Sequence, residues 1–550
     1  MEALDWLVIG VFFLALIGII VWVVRQKQND SADYFLGGRD ATWLAIGASI
    51  FASNIGSEHL IGLAGAGASS GMAMAHWEIQ GWMILILGWV FVPFYSRSMV
   101  YTMPEFLERR YNPQSRTILS VISLVSYVLT KVAVTVYAGG LVFQQVFGIK
   151  ELWGIDFFWI AAIGLVVLTA LYTIFGGMKS VLYTSVLQTP ILLLGSLIIL
   201  VLGFKELGGW DEMMRVCGAV TVNDYGDTMT NLIRSNDDAN FPWLGALIGS
   251  AIIGFWYWCT DQFIVQRVLS GKNEKEARRG TIFGAYLKLL PVFLFLIPGM
   301  IAFALHQKYI GAGGEGFLPM LANGTANADA AFPTLVAKLL PAGVKGLVVC
   351  GILAALMSSL ASLFNSSAML FTIDFYKRFR PETPEKKLVG IGQIATVVIV
   401  ILGILWIPIM RSVGDVLYTY LQDVQSVLAP GIAAAFLLGI CWKRTSAQGG
   451  MWGLIAGMII GLTRLGAKVY YSNAGEVADS TFKYLFYDMN WLFFCGWMFL
   501  FCIIVVIVVS LATEAPTAEK IQGLVFGTAT KEQKAATRAS WDHWDIIHTV

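Results

Sequence analysis

The sequence predicts an all-α polytopic membrane protein in which two five-helix halves cross the bilayer in opposite senses. Three observations carry this. Hydrophobic residues are 57% of the 550 before 56 glycines are added, and charged residues only 13%; a soluble domain has roughly 45–50% apolar residues with glycine included and about 25% charged. Thirteen stretches are apolar over the roughly 20 residues that a spanning helix needs. Two of these, five segments apart, are interrupted by polar residues at mid-depth.

The thirteen segments lie near 5–24, 43–74, 78–100, 117–146, 154–175, 180–204, 241–265, 280–306, 333–376, 388–410, 414–441, 446–471 and 490–513. The first is read as a retained helix. Its leading end is acidic (Glu2, Asp5), it exceeds the apolar run of a cleaved leader, and Arg25 and Lys27 follow it. That order places the N-terminus outside. Lys and Arg then cluster in alternate loops, at Arg97/Arg109/Arg110/Arg116, Lys179, Arg267–Arg279, Lys377–Lys387, Lys443/Arg444 and Lys520–Arg538, while the intervening loops hold few, except 205–240 with Lys205, Arg215 and Arg234 among many acids. This alternation agrees with thirteen spans. The 333–376 run is too long for one span and is expected to begin with a surface turn around Pro341. A fourteenth segment is expected to start at Ile546, so that the sequence stops within its last helix.

The organisation expected is a leading transmembrane helix and cytoplasmic linker (1–42), a first repeat of five helices (43–204), an extracellular loop (205–240), a second repeat (241–441), and C-terminal helices with a cytoplasmic loop (442–550). The loops 205–240 and 307–332 read as external caps. A net charge of +1 gives no support to a nucleic-acid partner. The chain lacks a GxxxxGK[ST] motif and a sizeable soluble domain, so energy is expected from an ion gradient rather than from ATP. The six cysteines read as small core residues, not as a disulfide framework.

The interrupted segments are the second, Ile50-Phe-Ala-Ser-Asn-Ile-Gly-Ser-Glu-His, and the seventh, Gly254-Phe-Trp-Tyr-Trp-Cys-Thr-Asp-Gln. One such segment could reflect close packing through small residues. Two in matching places point to a mid-membrane binding site between inverted halves.

These residues carry a resemblance. The sequence resembles the sodium:solute symporter family, and within it the sodium/glucose cotransporters. It does so through Asp33-Tyr-Phe-Leu-Gly-Gly-Arg, Phe51-Ala-Ser-Asn-Ile-Gly-Ser-Glu-His, Tyr101-Thr-Met-Pro-Glu-Phe-Leu-Glu-Arg-Arg-Tyr, Phe175-Gly-Gly-Met-Lys-Ser, Trp256-Tyr-Trp-Cys-Thr-Asp-Gln, Ser358-Ser-Leu-Ala-Ser-Leu-Phe-Asn-Ser and Phe436-Leu-Leu-Gly-Ile-Cys-Trp-Lys-Arg. The resemblance implies a LeuT-like five-plus-five inverted repeat with an extra N-terminal helix and additional C-terminal helices. It also implies sodium-driven uptake of a monosaccharide through the plasma (inner) membrane by alternating access, with sodium and a small sugar as partners and no obligatory protein partner.

Sodium wants oxygen ligands, and a broken helix exposes carbonyls. The resemblance puts the ion at Ala52, Ile55, Ala355, Ser358 and Ser359; alone, the two serines would read as hydroxyls bonded back to their own helix. Relatives that resemble two-sodium transporters have an aspartate after the Tyr-Thr pair, where this chain has Ser185, and a threonine where it has Ala361. One sodium per sugar is therefore expected. A ~100 mV potential yields about 2.3 kcal/mol per charge, and a tenfold gradient adds about 1.4 kcal/mol.

A sugar needs side chains that donate and accept, with an aromatic platform. The resemblance implies Asn54, His59, Glu78, Lys288 and Gln422 as hydroxyl partners, Tyr257 as the inner gate, Trp258 as a wall and Trp77 as an outer lid, with Tyr418 a weaker candidate there. Glu78 and Lys288 could also be one structural ion pair, although charges inside a membrane usually line cavities. Gly254 stands where relatives often have a side-chain donor. Asp261 is expected against a cytoplasmic arginine such as Arg267, Asp415 and Asp423 flank the eleventh helix, and Lys131 has no evident partner. The alternatives are symport of another polyol such as myo-inositol, or a sugar-gated sensor or ion leak. Relatives resembling sensors are acidic at the position of Gln422, so glutamine favours transport. No nucleophile, base and orienting group occur together, so an enzyme is not expected.

Overall fold

A backbone crossing hydrocarbon must satisfy its own hydrogen bonds, so apolar stretches of this length fold as helices. The structure, a computed structural model, describes residues 1–550 apart from 27, 57, 322–323, 414–416 and 474–477; the side chains of 129–130, 409–423 and 473 also lie outside the described residues. Among the described residues ten helices are long and apolar enough to cross a membrane.

Helix α1 spans Ala3–Val24. The second expected segment divides into α2, Trp43–Asn54, and α3, residues 58–69. Then come α4, Gly71–Ser98, and α5, residues 113–147. Helix α6 runs over Phe157–Leu207 and joins the two segments expected at 154–175 and 180–204. Its hinge is Gly177, at φ 53° and ψ −149°. A Cβ there would lie 2.4 Å from the Tyr34 carbonyl oxygen, so both the conformation and the space exclude other residues.

The seventh segment divides into α7, Trp243–Thr260, and α8, Gln262–Leu269. Helix α9 follows over Glu274–Gly311. The long 333–376 run resolves into α10, Ala331–Leu339, and α11, Val344–Phe379, with the turn around Pro341 between them. The remaining long helices are α12, Glu385–Val413, α13, Leu417–Cys441, α14, Ala447–Asn473, and α15, Trp491–Ala512.

Helices α6 and α11 pack along much of their length, and α2 lies against both. Helix α1 lies against the same pair and turns Leu7, Leu14 and other large side chains outward. Its acidic Asp5 is buried rather than exposed at a membrane edge. Asp5 Oδ1 accepts from the Gly343 and Gly346 amides at 2.7 and 2.8 Å, capping α11, whose first amides lack a partner within their own helix. The 205–240 loop covers the junction of α3 and α4: Met72 N donates to Met229 O at 2.7 Å. Ile546 lies in a short helix, His543–Ile547, held to α9 by Arg279, which pairs with Asp542 and Asp545 at 2.9 and 2.7 Å. Five of the six cysteines are buried and Cys441 is exposed; all six are free thiols.

Candidate functional site

The two helix interruptions fall where the polar residues are. Helix α2 ends at Asn54, and Ile55 leaves it with ψ 103°. Helix α7 closes on a π-helical turn, Phe255–Thr260, and Asp261 leaves with ψ 127° before its side chain caps α8. A chain that stops hydrogen bonding to itself leaves carbonyls and side chains free for a ligand. The two breaks meet directly, since Asn54 Nδ2 donates to the Tyr257 hydroxyl at 3.1 Å.

Around this contact four side chains form one buried cluster: Asn54 (8% exposed), His59 (5%), Glu78 (2%) and Lys288 (3%). Lys288 Nζ donates to Glu78 Oε2 at 2.5 Å and to Asn54 Oδ1 at 3.2 Å. His59 Nε2 lies 3.3 Å from the same glutamate oxygen, and neither ring nitrogen makes a hydrogen bond among the described residues. The ammonium stands 5.4 Å from the centre of the Trp258 ring, and Tyr257 meets Trp258 edge-on at 4.9 Å. Trp77 packs edge-on against Trp491, 5.7 Å away.

One narrow cavity opens among these residues. Asn54, His59, Trp77, Glu78, Tyr257, Trp258 and Lys288 are all on its wall. Gln422 and Tyr418 lie on α13 with side chains outside the described residues, as does Asp423; Asp415 is outside them altogether. The wall also holds Glu58, Gln80 and Gln425, which the sequence reading passed over. Each is a polar residue within an apolar stretch and beside a chosen one, and that is the signal that could have found them. Gln80 answers the missing donor at Gly254. A Cβ on Gly254 would lie 2.6 Å from Gln80 Oε1, so the carboxamide fills the place of the absent side chain. Its Nε2 donates to Ser250 O at 3.0 Å.

The residues considered for sodium sit beside the first break. Ala52, Ile55, Ala355, Ser358 and Ser359 are all buried. Helices α2 and α11 are joined there by Ser53 Oγ and Ser362 Oγ, 2.7 Å apart. Ser185 Oγ on α6 comes within 3.2 Å of Ser358 Oγ. The hard oxygens of a helix end and two hydroxyls are a donor set that suits a small hard cation.

One expectation is corrected. Asp261 pairs with Lys131, Nζ to Oδ2 2.7 Å, and accepts from the Tyr127 hydroxyl. The Arg267 guanidinium makes no hydrogen bond among the described residues. Lys131 thus has a partner, on a different helix, and its ammonium lies 4.8 Å from the centre of the Tyr257 ring. A buried ammonium is held where a carboxylate and aromatic faces replace its water.

Residues 34–457 match the model of the sodium:solute symporter family. The chain belongs to that family. Mouse sodium/myo-inositol cotransporter 2 is 37% identical over 542 residues, covering 96% of this chain and 80% of the relative. Zebrafish sodium/glucose cotransporter 4 is 35% identical, covering 98% and 84%. Among solved structures, a Na+-coupled sialic acid symporter in a substrate-bound outward-open state superposes with a TM-score of 0.73 at 21% identity, covering 94% of this chain and 99% of that one. MhsT in complex with L-phenylalanine gives 0.52 at 12% identity, covering 86% and 99%. At these identities the structures speak for the fold alone, a LeuT-type transporter fold. The chain is a multi-pass, sodium-coupled solute symporter, a transporter and not an enzyme.

Proposed function

We propose that the chain is a sodium-driven symporter of a monosaccharide of the glucose or galactose type, moving one sodium with each sugar by alternating access. The observation that carries this reading is the buried Lys288–Glu78–His59–Asn54 cluster beside Tyr257 and Trp258. It offers donors and acceptors at several points around an aromatic wall, which suits a ring of hydroxyls with an apolar face. Sodium binds in this reading at Ala52, Ile55, Ala355, Ser358 and Ser359. Coupling then follows from the chain itself: Asn54 lies between the two carbonyl donors and His59 just beyond the break. An ion that orders the break also orients the two sugar partners on it. Ser185, a hydroxyl where a second sodium site would need a carboxylate, supports a single ion. Gln422 completes the hydroxyl partners, and Trp77 closes the outer side. The protein sits in the plasma (inner) membrane with its N-terminus outside, as the alternation of basic loops supports.

A second reading, myo-inositol as substrate, is favoured by the relatives of that name at 37% and 36% identity. A cyclic polyol presents the same hydroxyl chemistry.

Uptake of radiolabelled glucose, galactose and myo-inositol into proteoliposomes, with sodium or potassium outside, tests both. Sodium-dependent accumulation of a hexose with a charge-to-sugar ratio of one is expected. Accumulation of inositol alone would select the second reading. Sodium current without accumulation of any of them would replace transport by sensing.

A further inference from the structure

Glu58 is not accounted for by the sugar cluster. It follows the first break directly, and its Oε2 is buried without a hydrogen-bond partner among the described residues. A buried carboxylate oxygen with no donor is unfavourable unless a charge or a ligand compensates it. Two nearby ammonium groups are bonded elsewhere: Lys131 to Asp261, and Lys288 to Glu78 and Asn54. Glu58 forms no ion pair with either among the described residues.

Its position indicates what compensates it. A Cβ built on Gly56 would lie 2.6 Å from Glu58 Oε2 and 3.1 Å from Ser359 Oγ. The carboxylate and the hydroxyl therefore face each other across one small gap, which glycine at 56 leaves open. On its other side Glu58 lines the same cavity as Asn54 and Tyr257. The remaining oxygens beside the break are uncharged carbonyls and hydroxyls, and Ser185 adds another hydroxyl.

We infer that Glu58 is the anionic partner of the coupling cation, a residue that sets sodium affinity from the wall shared by the ion and sugar sites. The inference rests on the sodium-site reading given above. With sodium beside Ser359, the Glu58 carboxylate gains a cation in direct contact, where the Lys131 ammonium acts on it only from a distance, and the cation gains the formal counter-charge that carbonyls and hydroxyls do not supply. In the ion's absence the unpaired carboxylate favours an open, hydrated break. Sodium thus favours closure at the place where Asn54 must be held for the sugar.

The test uses the full chain, purified and reconstituted, with 22Na+ binding and sodium-dependent uptake measured for wild type, Glu58→Gln, Glu58→Asp and Ser359→Ala. In Glu58→Gln the half-saturating sodium concentration is expected to rise tenfold or more in both assays. The half-saturating sugar concentration, taken at saturating sodium, should stay within threefold. Glu58→Asp, which keeps the charge and shortens its reach, should fall between. Should Glu58→Gln fail to fold, the aspartate variant carries the test, and an unchanged sodium affinity there overturns the inference. A sodium affinity within twofold of wild type in Glu58→Gln, with Ser359→Ala strongly impaired, overturns the role of Glu58 and leaves the sodium site standing. If neither variant shifts sodium binding, both fall together. A shift in sugar affinity alone makes Glu58 a sugar partner and overturns its role toward the ion.

Discussion

The carboxamide of Gln80 occupies the space that a side chain on Gly254 would need: a Cβ there would come within 2.6 Å of Gln80 Oε1. The two residues are far apart in the chain and adjacent on the cavity wall, so one polar contact has been moved from α7 to α4 without leaving the site.

Gly254→Thr is expected to displace that carboxamide from Ser250 O. The lost hydrogen bond is worth about 1 kcal/mol, and the half-saturating sugar concentration should rise roughly fivefold, as that energy implies. Gly254→Thr combined with Gln80→Ala removes the collision and should recover most of the affinity, because the threonine hydroxyl then stands in for the amide. Sugar titrations of uptake at fixed sodium would show whether the double variant improves on the single one.

The Lys288–Glu78 pair predicts strong non-additivity. Either Glu78→Gln or Lys288→Met strands a buried charge and should destabilise by about 3–5 kcal/mol. The double variant strands none and should be more stable than either single one. Thermal unfolding in detergent measures this. Uptake should be lost in all three, since the cluster donates to and accepts from the sugar; a double variant that transports normally would reduce the pair to structure.

Asp5→Ala removes the acceptor of two amides at the start of α11. A loss of about 1.5–3 kcal/mol is expected for bonds to a charged group, and Asp5→Asn should restore part of it. The readout is again the melting temperature, with sodium and sugar affinities unchanged.

The sequence reading placed the helices well because apolarity is local. Among the described residues each of the thirteen expected segments contains helix, and Pro341 marks the turn that divides α10 from α11. It placed the join at 175–180 less well: α6 continues through Gly177 as a hinge, since a glycine at positive φ redirects a helix without ending its run of apolar residues. Of the eight side chains singled out for the sugar, seven share one cavity wall, and Gln422 lies outside the described residues. Asn54, His59, Tyr257 and Trp258 were legible through the quoted motifs, and Glu78 and Lys288 because charges deep in apolar stretches are rare; Trp77 rested on the family resemblance alone. Gln80 and Gln425 lie near these seven outside any quoted motif, and Glu58 lies within one that assigns it no role. In the sequence the charge of Asp5 bears only on orientation relative to Arg25, and it says nothing of the helix end that Asp5 caps.

From the sequence alone came the membrane class, the order of the apolar segments, the two interruptions and the family. These depend on composition, hydropathy and short motifs, all of them properties of neighbouring residues. The tertiary structure decided the pairings: Lys131 with Asp261, 130 positions apart, Gln80 with Ser250, 170 apart, and Asp5 with Gly343, 338 apart. A hydrogen bond needs donor and acceptor within about 3 Å, and along a chain of helices such proximity is set by how they pack. Asp261 could equally have met Arg267 by its sequence; packing α5 against the break beyond α7 gave it Lys131.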